Sequence, residues 1–293
     1  MILPVVEEFK RLFSRPVSFA PADMLPATLY HYTGAGGVAG ILLSDHLRAT
    51  NFSFLNDPSE VQHGHDLVVS TLQREQRARG QARARILERI EKSFAAEVVP
   101  EVYVACFTTR RDDLSQWRAY GGASAARYSI GFNSEVIRDQ AWAVPEAIFD
   151  RVIYDEAKQV ERVNKIITKT LKFVLTKLLD KPETQAIADE AARRLARLLP
   201  RLKSAAYAAE EEWRFIRWVP VTNVADVHFD TARGTVRPYV HFVIRTVDSL
   251  PVTDLIVMSP GRERASLKAA DMLLKKGGIH NISPAHSQVP FAE

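Results

Sequence analysis

Cys106 is the only cysteine in the chain, which excludes an intrachain disulfide and a thiolate metal cluster and fits a reducing cytoplasm. Long apolar runs are missing as well. No stretch approaches the ~18–20 apolar residues that a transmembrane helix needs, so a soluble protein with no membrane partner is expected. Residues 1–13 begin apolar, but Glu7, Glu8, Lys10 and Arg11 interrupt them, and the unbroken core and cleavage site of a signal peptide are lacking. There is no internal repeat and no low-complexity tail. Common catalytic signatures are absent too: no G-x-S-x-G elbow, no Gly-Lys-Ser/Thr phosphate loop and no G-x-G-x-x-G spacing. Only His63 and His65 are close among the histidines, two apart on an expected helix where side chains do not share a face, so no metal site is expected. Excess charge is small, at +4 with a pI near 9.1, a weak pointer to phosphate-bearing partners. The basic residues concentrate at 74–89 and 158–177, a pattern that ordinarily marks a solvated helical face.

What is present suits a substantial buried core: 293 residues, 46% of them hydrophobic. Residues 1–27 read as an N-terminal accessory segment, a short amphipathic helix followed by a loop carrying Pro16, Pro21 and Pro26. Residues 28–293 read as a single α+β domain, with mixed or antiparallel central sheets flanked by helices. Ile86, Ile90 and Phe94 recur at helical spacing inside a helical stretch over 59–98 that breaks near Gly80. Strands are expected at 102–108, 128–132, 147–154, 211–219, 237–244 and 255–258, from their length and β-branched content. A helix covers 263–275, and a last short strand falls near 280–283. Residues 156–209 are rich in Ala, Leu, Lys and Arg and are broken at Lys181-Pro182-Glu183-Thr184, an inserted helical hairpin.

Leu29-Tyr30-His31-Tyr32-Thr33 opens the domain, followed by the glycine-rich Gly34-Ala35-Gly36-Gly37 and an apolar run. A short strand, a flexible turn and a helix are expected, the turn bringing backbone N–H groups to a helix N-terminus where anionic groups are favoured. Further candidates are Asn56 and Asp57 in a turn, then Ser115, Gln116, Trp117, Arg118 and Tyr120 on a turn of helix. Glu210, Glu211, Glu212 and Arg214 complete the set. Strand alternation puts Glu210, Glu212 and Arg214 on one face and Trp213 with Phe215 on the other. Taken alone, that polar face reads as an exposed Arg–Glu ladder. Cys106, inside an apolar strand, reads as an inert packing thiol.

Leu29-Tyr30-His31-Tyr32-Thr33, Leu55-Asn56-Asp57-Pro58-Ser59-Glu60, Cys106-Phe107, Leu114 to Gly121, Gly131-Phe132 and Glu212-Trp213-Arg214 occur in this order. Together they resemble the bacterial family called domain of unknown function 2971, over roughly 29–291. Thr108 departs from the family's usual Ser, and the helical pair is longer than the family pattern. An early His in a Tyr-His-Tyr-Thr strand and a late Glu on another strand also resemble, more distantly, ADP-ribosyltransferase-like folds. That resemblance implies an NAD-dependent enzyme, a toxin or phage-defence effector modifying protein or nucleic acid. It implies that His31 holds a ribose hydroxyl and that Tyr30 or Tyr32 stacks. It further implies Glu212, with Glu210 as second choice, as the charge-stabilising carboxylate. Tyr30, His31, Tyr32, Thr33, Asn56, Asp57, Ser115, Gln116, Arg118, Tyr120 and Arg214 are the expected NAD-binding set, Arg118 suiting a pyrophosphate. The alternative is a non-catalytic nucleotide- or nucleic-acid-binding module. A hydrolase using Glu210, Glu212 and Asp57 is a third reading.

Overall fold

A computed structural model describes residues 2–13, 25–55, 57, 59–96, 101–120, 126–178, 181–220, 224–231, 234–247 and 249–289. Contacts divide the chain into a helical unit, Met1–Ser18, Asp57–Val102 and Val152–Ala208, and a sheet unit, Phe19–Asn56, Tyr103–Arg151 and Ala209–Glu293. No helix of the described residues is long and apolar enough to cross a membrane.

The helical unit holds α1 (Ile2–Arg11), α3 (Ser59–Ala78), α4 (Gln81–Ala96), α7 (Glu156–Lys177) and α8 (Thr184–Ala196). The helices expected as an insertion, α7 and α8, are thus accompanied by three others. Local chemistry starts them. Asp57 Oδ1 accepts from Ser59 N at 2.9 Å before α3, and Asp155 Oδ1 accepts from Lys158 N at 2.9 Å before α7. Their apolar stripes are buried through Val68, Leu72, Leu87, Ile90, Val163, Ile167, Ile187 and Leu195. Phe9 of α1 meets Phe173 edge-on at 5.3 Å, and Lys203 bonds Glu60 at 2.8 Å inside the unit.

The sheet unit is α+β, as its strand content implies. Its strands are β1 (Thr28–Gly34), β2 (His46–Asn51), β3 (Glu101–Thr108), β4 (Arg127–Asn133), β5 (Ala147–Arg151), β6 (Glu212–Val219), β7 (His228–Asp230), β8 (Arg237–Val243), β9 (Val252–Met258) and β10 (Ala285–His286). They form a ten-stranded sheet among the described residues, ordered β10-β9-β4-β1-β3-β2-β8-β7, with β6 joining β3 to β5. β1 with β4, β2 with β8, β4 with β9 and β5 with β6 pair antiparallel, and β10 with β9 pairs parallel. Leu29, Leu47, Phe107, Ile130, Phe132, Phe149, Trp213, Phe215 and Phe242 form its core with α2 (Ala35–Ser44), α6 (Ser134–Trp142) and α9 (Glu263–Lys276) packed on it.

Two expectations change in this unit. No turn separates β1 from its helix: α2 starts at Ala35, so Gly36, Gly37 and Gly40 lie within it and no phosphate-cradling loop forms. Gly37 is there because a Cβ at that position would stand 1.8 Å from Thr33 Oγ1. The last strand falls at Ala285–His286 instead of near 280–283, and α6 and β7 are additional elements.

Candidate functional site

β1 is paired with β4 along its whole length but meets β3 at Tyr30↔Thr108 alone. Where the two strands part, a pocket of about 40 Å³ is lined by Tyr30, His31 and Tyr32 of β1 and by Cys106, Phe107 and Thr108 of β3. Gln116 of α5 (Leu114–Tyr120), Glu210 and Glu212 close it. His31 and Glu212, far apart in sequence, therefore face one space.

His31 Nδ1 lies 2.8 Å from the Cys106 carbonyl, which can only accept. Nδ1 must carry the proton, leaving Nε2 as the acceptor of the ring. Burial lowers the imidazole pKa, and the bond to Cys106 offsets this in part, so the ring is neutral at pH 7.

Glu212 and Arg214 share a face, as alternation requires, but the face is buried and not a solvent ladder. Arg214 Nε and Nη2 each donate to a Glu212 carboxylate oxygen at 2.8 Å, with Arg214 only 1% exposed. The fork fixes both carboxylate oxygens in one plane. The strand is anchored just before it. Glu211 takes a left-handed φ of 47°, a conformation unfavourable for a residue with a Cβ. Its carboxylate accepts from Thr109 Oγ1 and, at 2.7 Å, from Arg110 Nη2. Thr108 Oγ1 donates to the Glu210 carbonyl at 2.5 Å.

Tyr32 is a wall. Its hydroxyl donates to Arg110 O at 2.8 Å and accepts from Asp113 N at 3.1 Å, and its ring meets Trp117 edge-on at 4.6 Å. Burial first, then the nearby carboxylates, hold the phenol far above its ordinary pKa. Trp117 Nε1 donates to Asp112 at 2.7 Å, and the same carboxylate accepts from Ser287 Oγ at 2.6 Å and Gln288 N at 2.9 Å. The C-terminal strand is thereby tied to the base of the helix that carries Gln116. Tyr30 is less enclosed; its ring edge lies against Gly131, where a Cβ would stand at 3.0 Å.

Of the expected NAD-binding residues, Tyr30, His31, Tyr32 and Gln116 line the pocket, as do the two expected carboxylates. Thr33 packs on Gly37 instead. Ser115 is exposed, its hydroxyl donating to Asp113 at 2.5 Å as part of the helix cap. Arg118 is exposed, two residues from Gln116 and so near the opposite side of α5. Arg214 supports Glu212 from beneath. Asp57 belongs to the helical unit, where the Ser59 hydroxyl holds its carboxyl below the ordinary value. Asn56 and the side chain of Tyr120 lie outside the described residues. Cys106, read as inert packing, is part of the pocket wall and partly accessible. Its place beside Thr108 at strand period two was the available signal. Among the described residues no group of three or more His, Cys, Asp or Glu is placed to hold a metal.

Residues 116–215 match the family described as Protein of unknown function (DUF2971), about a third of the chain. The matched stretch runs from Gln116 to just past Glu212 and Arg214, and it supports the family resemblance. No curated protein and no solved structure matches the chain.

Proposed function

We propose that the sheet unit is an ADP-ribosyltransferase-like catalytic unit that takes NAD as substrate and a protein or nucleic acid as acceptor. The observation that carries this reading is that His31 of β1 and Glu212 of β6 line one pocket with Tyr30 beside them. The substrate brings an N-glycosidic bond whose electron pair leaves with nicotinamide, while the acceptor bonds the ribose carbon and gives up a proton. His31 Nε2 accepts from a ribose hydroxyl. Tyr30 supplies an aromatic face. The Glu212 carboxylate stands against the positive charge that develops on the ribose, an effect worth about 3–4 kcal/mol of barrier for a preorganised group. Arg214 keeps that carboxylate from turning away. Ligand pockets commonly hold about 300–1,000 Å³. At about 40 Å³ this one admits one edge of the substrate, and the remainder lies over the open mouth.

The test is a thermal-shift and calorimetric titration with NAD on the full chain, His31→Ala and Glu212→Gln. A ligand at 100 times its Kd stabilises the native state by about 2.7 kcal/mol. The expected result is an upward shift that His31→Ala loses, with NAD consumption that Glu212→Gln loses while still binding. An unchanged melting point at millimolar NAD overturns the reading.

A further inference from the structure

The helical unit carries 22 basic and 17 acidic residues, a charge of +5, whereas the sheet unit carries 17 and 18, a charge of −1. Within the helical unit the α3–α4 connection is distinctive. Residues 74–89 hold six arginines, no lysine and two glutamates. The acidic side chains there, and Glu91 just beyond, are already engaged: Glu75 by Arg79 at 2.5 Å, Glu88 by Lys92 at 2.7 Å, and Glu91 by Gln73 and Gln76 at 2.8 and 2.6 Å. Arg74, Arg77, Arg83, Arg85 and Arg89 are exposed and make no hydrogen bond or close ion pair among the described residues. These five flank the Arg79–Gly80 turn along the two helices, Arg74 about 6 Å before the end of α3 and Arg89 about 12 Å into α4 at helical rise, with Arg85 and Arg89 four apart on one face of α4.

We propose that this arginine tip docks the phosphate backbone of a nucleic acid. The inference stands independently of the NAD reading. Guanidinium groups suit phosphate because their planar fork donates two parallel bonds and is weakly hydrated, whereas an ammonium is a point charge. An anionic membrane is the poorer partner. A membrane-surface helix presents an apolar face beside its basic one, but here Ile86, Leu87, Ile90 and Phe94 are buried inside the unit. No exposed large apolar side chain occurs among the described residues of α3 or α4.

The experiment is fluorescence anisotropy of a labelled 20-base-pair DNA duplex titrated with the full chain between 50 and 200 mM salt. Five phosphate contacts predict an affinity loss of about 500-fold over that range, and two contacts a loss of about 10-fold. The triple variant Arg83→Gln, Arg85→Gln, Arg89→Gln is expected to change from the first dependence to the second. Its helicity by circular dichroism stays unchanged, since Gln and Arg have similar helix propensity. The NAD thermal shift is unaffected, which separates this test from that of the pocket. No anisotropy change at 50 mM salt, an unchanged salt dependence in the triple variant, or binding only to phosphatidylserine vesicles overturns the proposal.

Discussion

Replacing Arg214 by Met removes the guanidinium that forks onto the buried Glu212 carboxylate, and the consequence follows from the geometry. Arg214 is 1% exposed and the Glu212 side chain 4%, joined by a bidentate pair. The β5–β6 register places Asp150, also 1% exposed, directly opposite Arg214. Opposite residues of antiparallel strands point to the same face. Arg214→Met therefore takes both fork donors from the buried Glu212 carboxylate, with Asp150 on the same face. Breaking a buried ion pair from one side costs about 3–5 kcal/mol, and for a chain of this size that lowers the melting point by about 5–8 °C. Glu212→Gln is expected to cost less, about 1–3 kcal/mol, because Gln keeps the shape and one acceptor oxygen for the fork. The double variant should be more stable than Arg214→Met. Urea unfolding followed by tryptophan fluorescence measures all three, with Trp213 adjacent in the strand. The reasoning is refuted if Arg214→Met lies within about 1 kcal/mol of the parent, or if adding Glu212→Gln to it destabilises further. The ranking also has a practical use: Glu212→Gln is a clean activity probe and Arg214 variants are not.

Gly37→Ala should destabilise by about 1–2 kcal/mol through overpacking against Thr33. In a Thr33→Ala background the sign should invert, since Ala is otherwise favoured over Gly in a helix by up to about 1 kcal/mol; an equal effect in both backgrounds refutes the steric account. His241 lies tilted against His46 at 3.7 Å and stacks on His228 at 4.1 Å, and burial, then the neighbouring His46, His228 and Arg48, push its pKa from 6.5 to about 4. The unfolded chain binds that proton more readily, so the stability is fully present above pH 6.5 and falls away between pH 6.5 and 4. After solvent screening the loss is about 1–2 kcal/mol. Denaturation at pH 7 and pH 4.5 should show His241→Asn less acid-sensitive than the parent, and equal sensitivity refutes the assignment. Asp112→Ala should free the Trp117 indole and shift its emission, without loss of sheet content by circular dichroism. An unchanged spectrum argues against the tether.

Much of the sheet was legible in the chain, because strand length and β-branched content are local properties. Val102–Thr108 and Arg214–Val219 follow the pattern directly, and alternation placed Glu212 beside Arg214. Burial of that pair was not legible. Two charged residues two apart look solvated until the opposite strand and its Asp150 are known. The glycine run misled for a similar reason: Gly36 and Gly37 look like a loop, but packing on Thr33 requires a side chain without Cβ in a helix. Asp57 shows a further limit. It follows Asn56 without any break in composition, yet the chain passes from one unit to the other there. That His31 and Glu212 line one space was not legible, because periodicity contains no information on which distant strands adjoin.

The bond from Ser287 to Asp112 also sets an order of events in biosynthesis. Asp112 accepts at once from Trp117, in the helix bearing Gln116, and from residues 287 and 288. A nascent chain that already contains His31 and Glu212 lacks this brace until translation has passed Gln288. A product truncated before Ser287 would carry His31 and Glu212 without the bonds that residues 287 and 288 make to Asp112, beside the helix bearing Gln116.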